Sequence, residues 1–111
     1  MEYSTRKEGA YQVLELDGEV DLHYSPQARK QILDILKKGQ NLLVDLSAVK
    51  YIDSSGVASL VEGYQVAKSN KIRFGLVGVS DAAMQVLQLA RLDKVFPIHA
   101  SVAERVQSES T

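Results

Sequence analysis

Tyr51-Ile52-Asp53-Ser54-Ser55-Gly56-Val57 is the stretch on which the reading of this chain turns. Upstream, Leu42-Leu43-Val44-Asp45-Leu46 is a short, branched, apolar run bounded by polar residues, the mark of a buried strand. Downstream, Val57, Leu60, Val61, Tyr64 and Ala67 recur at helical spacing. A strand therefore runs into a helix. Asp53, Ser54 and Ser55 fall at the helix start, where short polar side chains accept bonds from its free N–H groups. The same end carries partial positive charge and suits a phosphate. Two readings stand at this point: a polar cap in a tight turn with no chemistry, or a serine hydroxyl that is modified or acts as a nucleophile.

Working outward, Tyr3 to Lys7 reads as an edge strand, Glu8-Gly9-Ala10 as a turn, and Tyr11 to Leu16 as the second arm of a hairpin. Val13 and Leu14 break strict alternation, so this arm is expected to be covered on one face and shielded on the other. Asp17 to Leu22 leads through His23-Tyr24 to Ser25-Pro26, read as a helix start with Ser25 at the N-cap and Pro26 at the first helical position. Ala28, Ile32, Ile35 and Leu36 give that helix its apolar face, and Gly39 stops it. After the central helix, Ser69-Asn70 is a polar break and Ile72 to Val77 a strand. Ser80 caps a third helix with Asp81 in its first turn and Met84, Val86, Leu87 and Ala90 on its apolar side. Val95-Phe96-Pro97-Ile98 reads as a short last strand, held at an edge by Pro97. Ser101-Val102-Ala103-Glu104 has capping-box spacing for a final short helix, and Gln107 to Thr111 reads as a fraying tail.

The order β-β-α-β-α-β-α-β-α predicts an α/β fold: a mixed sheet of four to five strands, largely parallel, with about four covering helices. A chain of 111 residues fits a single domain over residues 1–111. Acid and base are interspersed around a net charge of -1, with no basic stripe to recruit nucleic acid. There is no cysteine, which removes disulfides, thiolate catalysis and cysteine-bound zinc and fits a cytoplasmic protein. No apolar run approaches membrane-spanning length and the start lacks a signal core, so no membrane insertion is expected.

Other chemistries find little support. A serine hydrolase would use Ser54 or Ser55 with His23 or His99 as base and Asp21 as orienter, but Gly-x-Ser-x-Gly is missing. Asp17, Glu19 and Asp21 alternate as in a calcium loop, yet the twelve-residue loop and its terminal glutamate are absent. On a strand these three carboxylates would form an acidic strip on one face. Gly75-Leu76-Val77-Gly78 lacks the third glycine of a dinucleotide loop. No catalytic residue, metal or cofactor is assigned.

Almost the whole chain resembles the STAS-domain family, specifically the bacterial anti-sigma factor antagonists. The resemblance is carried by Leu16-Asp17-Gly18-Glu19-Val20-Asp21 before a Ser-Pro-led helix, by Leu43-Val44-Asp45-Leu46, by Tyr51 to Val57, and by Leu87 to Val95 with its Leu-Asp-Lys-Val-Phe ending. The resemblance implies a STAS fold and a phospho-switch. In the family, an anti-sigma serine kinase with a histidine-kinase-like ATPase fold phosphorylates the serine after the aspartate, a metal-dependent serine phosphatase reverses this, and only the unmodified antagonist holds the anti-sigma factor. Carried over, the acceptor is Ser54, with Ser55 the less favoured choice, and Asp21, Ser25, Asp53, Ser55 and Gly56 form the switch surface. Asp21 matches an acidic residue facing the acceptor, and the helix N–H groups are expected to receive the phosphate. Val57-Ala58 departs from the Leu-Gly common after the motif, and His23-Tyr24 is not diagnostic; both would retune partner choice. The same fold also serves as an adaptor in stressosomes and lipid-transport complexes, and a small STAS protein can regulate biofilm formation or secretion instead of a sigma factor.

Overall fold

The computed structural model describes residues 1–109. Strands β1 (Glu2–Glu8) and β2 (Tyr11–Val20) form an antiparallel hairpin turning at Gly9, whose φ of 59° suits glycine. Helix α1 (Ser25–Lys37), β3 (Asn41–Ile52), α2 (Ser54–Ser69), β4 (Phe74–Val77), α3 (Asp81–Leu89), β5 (Ile98–His99) and α4 (Val102–Glu109) follow. The sheet runs β1-β2-β3-β4-β5, parallel from β2 onward. The expected α/β order is therefore found, with five strands and four helices among the described residues.

Alternation along the strands sorts the two faces. Leu14, Leu16, Leu42, Val44, Leu46 and Leu76 point toward α1, α2 and α3, meeting Ile32, Leu36, Leu60 and Leu87 in one continuous core. Each fully buried leucine is worth about 1.5–3 kcal/mol over its exposed state. The opposite parity brings Tyr11, Val13, Leu43 and Val77 together on the second face, where Val102 and Val106 of α4 cover them. The broken alternation at Val13-Leu14 thus reflects a strand buried on both sides.

Several boundaries differ from the sequence reading. Strand β3 extends to Ile52, because Asp17 to Val20 of β2 continue to pair with Ala48 to Ile52 through two register shifts. The expected acidic strip is shortened: Asp17 and Glu19 are both exposed along β2, but β2 ends at Val20 and Asp21 lies in the following turn. Strand β4 begins at Phe74, because the Ile72 N–H closes α2 by donating to the Ala67 carbonyl at 2.8 Å. Val95 and Phe96 are in turns, their N–H groups donating to the Leu92 carbonyl, so β5 is only Ile98–His99, and it does lie at the sheet edge. Gln107 to Glu109 form the last turn of α4, while Ser110 and Thr111 lie outside the described residues.

Candidate functional site

The site stands where β2 and β3 both end and α2 begins. Asp53 is the N-cap of α2 in extended backbone, as its residue type predicts, and Ser54 is the first helical residue. Asp53 Oδ1 accepts from the Ser55 N–H at 2.9 Å, the Gly56 N–H at 3.2 Å and the Ser55 hydroxyl at 2.5 Å. Its other oxygen, Oδ2, accepts from the Leu22 N–H at 3.1 Å, across 31 residues of sequence. The Ser55 hydroxyl, then the Gly56, Ser55 and Leu22 N–H groups, hold the Asp53 carboxyl below the usual carboxylate range. The Asp53 N–H donates to the Val20 carbonyl at 3.3 Å, tying the cap to the end of β2.

The two serines are therefore unlike. Ser55 is half-buried and its hydroxyl is committed to Asp53. Ser54 is exposed, and its hydroxyl has no hydrogen-bond partner among the described residues. Gly56 is buried where α2 passes closest to β2: a Cβ there would stand 2.5 Å from the Val20 carbonyl oxygen. Most of the helix amides expected to receive a phosphate are taken: the Ser55 and Gly56 N–H groups serve the Asp53 carboxylate and the Val57 N–H its carbonyl, which leaves the Ser54 N–H.

The loop between β2 and α1 forms the other wall. The Asp21 carboxylate accepts from the His23 and Tyr24 N–H groups at 3.0 and 3.1 Å, and its carbonyl accepts from the Tyr24 and Ser25 N–H groups at 3.1 and 2.7 Å. Asp21 thus shapes this loop. It also displaces Ser25 from the expected N-cap role: Tyr24 holds that position without a side-chain cap, since the turn from Asp21 already occupies the first N–H groups. Ser25 is buried at the base of a groove between α1 and α2 lined also by Pro26, Arg29, Ser55, Ala58 and Glu62. The buried Ser59 hydroxyl donates to the Ser25 carbonyl at 3.4 Å and the Ser55 carbonyl at 3.2 Å. Arg29 and Glu62 close the groove in a two-pronged ion pair of 2.9 and 2.7 Å, which raises the one pKa and lowers the other.

Neither histidine serves a serine. The His23 ring packs edge-on against Tyr24, and His99 Nε2 lies 3.0 Å from an Arg105 nitrogen at the opposite side of the sheet order. Asp21, the proposed orienter, is engaged by its own loop. Among the described residues no cluster of acidic or histidine side chains could hold a metal ion, and no helix is long and apolar enough to cross a membrane. The structure brings Asp21, Asp53, Ser54, Ser55 and Gly56 to one end of the sheet. Sequence reasoning missed Leu22 and the Arg29–Glu62 pair; the only signal for the former was an apolar residue in an otherwise polar loop.

Residues 3–105 match the STAS domain family. This chain belongs to that family. The STAS chain is 24% identical over 90 residues to the anti-sigma-B factor antagonist of Bacillus subtilis, covering 81% of this chain and 83% of that one. Its fold superimposes on an anti-sigma-factor antagonist STAS domain protein from Planctomyces limnophilus with a TM-score of 0.86, at 22% identity over 98% of both chains. It also matches the Bacillus cell fate determinant SpoIIAA in its phosphorylated form, with a TM-score of 0.75 at 21% identity over 96% of this chain and 98% of that one.

Proposed function

We propose that this STAS protein is an anti-sigma factor antagonist switched by phosphorylation of Ser54, and not an enzyme. The observation that carries the reading is the contrast within the cap: Ser54 offers an exposed, unbonded hydroxyl at the first position of α2, while Ser55 is tied to Asp53. A relative named an anti-sigma-B factor antagonist and a fold neighbour described as phosphorylated support it. In this reading the unmodified protein binds an ATP-dependent anti-sigma serine kinase in the cytoplasm, and a metal-dependent serine phosphatase restores it.

The occupied cap explains how a small modification would release the partner. A phosphate adds about 1.5–2 negative charges. With the Ser55 and Gly56 N–H groups serving Asp53 and the Val57 N–H serving the Asp53 carbonyl, the phosphate finds at most the Ser54 N–H and stands beside a carboxylate held ionised. A partner surface covering Ser54 must strip water from that charge, most of which a single amide leaves uncompensated. An uncompensated polar group of this kind weakens a complex about 10- to 100-fold.

The test is binding of the purified kinase to unmodified protein, Ser54→Ala and Ser54→Asp. Ser54→Ala is expected to bind as the unmodified protein does and to take no phosphate, and Ser54→Asp to bind at least tenfold more weakly. Equal binding by Ser54→Asp, with phosphate found on Ser55, overturns the assignment.

A further inference from the structure

Leu22 is 75% exposed and stands in the middle of a fully bonded turn beside the Ser54 cap. Its N–H is held by Asp53 Oδ2, the next two N–H groups by the Asp21 carboxylate, and the Tyr24 and Ser25 N–H groups by the Asp21 carbonyl. The backbone on either side is therefore pinned, and the side chain is presented to water from a rigid base. An apolar group held in this way loses little conformational freedom when it is buried by a partner.

We infer that Leu22 is the apolar anchor by which the serine kinase grips the Ser54 end of this protein. The inference rests on the reading of Ser54 as the phosphate acceptor. A standard interface covers about 800 Å² of each partner, a disc of roughly 16 Å radius. A kinase must enclose the hydroxyl it modifies, so its footprint surrounds Ser54. Leu22 is bonded to the carboxylate of the residue before Ser54 and so lies well inside that disc. Large apolar side chains near the centre of an interface carry a disproportionate share of binding. The Asp21 and Asp53 carboxylates that flank it already accept from the loop and cap N–H groups, so the complementary surface is an apolar pocket.

The sequence reading placed the switch surface in Asp21, Ser25, Asp53, Ser55 and Gly56; Leu22 adds an apolar component that gives affinity independently of the phosphate. Because it already faces water, its replacement by serine leaves the core untouched, and a thermal melt matching that of the unaltered protein verifies this. The experiment measures calorimetric Kd for the purified anti-sigma kinase from the same organism, and KM and kcat for phosphate transfer from ATP to Ser54. Leu22→Ser is expected to raise Kd and KM about 10- to 100-fold with kcat within about twofold. Leu89→Ser, which removes an 86% exposed leucine at the far end of α3, is expected to change neither. If the unaltered protein is phosphorylated at Ser54 and Leu22→Ser binds within twofold of it, the anchor is refuted while the switch stands. Equal losses in Leu22→Ser and Leu89→Ser also refute it. If the unaltered protein neither binds nor accepts phosphate, both readings fall.

Discussion

Replacing Gly56 with alanine tests whether the position of α2 is set by close packing. The new Cβ would stand 2.5 Å from the Val20 carbonyl oxygen, 2.7 Å from Ile52 Cγ1 and 3.0 Å from Val20 Cγ1. A carbon rests against a carbonyl oxygen at about 3.3 Å, so the start of α2 must withdraw by roughly 0.8 Å. The oxygen cannot yield cheaply, because it accepts the Asp53 N–H at 3.3 Å and belongs to the end of β2. Overpacking of this kind costs about 1–3 kcal/mol, and a backbone obstacle places it at the upper end. Alanine returns up to about 1 kcal/mol through its better helix propensity. The net loss is about 2 kcal/mol, which for a chain of this size lowers Tm by about 10 °C. Circular dichroism melts of both proteins measure it, with urea titration to show an unchanged m value. A Gly56→Ala protein as stable as the original would refute the argument, since the glycine would then be needed only for turn flexibility.

Ser54→Ala should leave Tm within about 1 °C, whereas Ser55→Ala, which removes the bond to Asp53, should lower it by about 3–6 °C; paired melts distinguish the two serines without any partner. Ser80 donates to the Val49 carbonyl at 2.7 Å and accepts from the Ala83 N–H at 3.2 Å, so Ser80→Ala should cost about 1–2 kcal/mol in urea denaturation. Asp53 has its pKa lowered in the folded state, so its contribution is present above the ordinary value of 3.8 and is lost as pH falls through the depressed folded value. Acid titration of stability should accordingly fall more steeply below about pH 4 in the original protein than in Asp53→Asn, and parallel curves would show that the cap bonds do not depend on the charge.

Local chemistry in the sequence was enough to place the features that depend on near neighbours. The Asp53 cap, the Ser80 cap with Asp81 behind it, and the Gly39 stop with a φ of 73° follow from residue type and spacing. Features that depend on distant partners were not legible. Ser25-Pro26 looks like a capped start, but Asp21, four residues earlier, already supplies the turn. The outward Ser47, Lys50 and Tyr51 hide the second half of β3, which exists because β2 pairs with it through two irregularities. At the site, Asp53 could be read as a cap, but its bond to Leu22 joins residues 31 apart. That bond fixes the adjoining loop against the cap, and it appears only when both strand ends meet.

The most direct test of the central claim is site-resolved mass spectrometry of the protein after incubation with the purified anti-sigma kinase and ATP, alongside Ser54→Ala and Ser55→Ala. A single phosphate on Ser54, retained in Ser55→Ala and absent from Ser54→Ala, is the predicted result. A phosphate that persists in Ser54→Ala, or that maps to Ser55, would contradict the account.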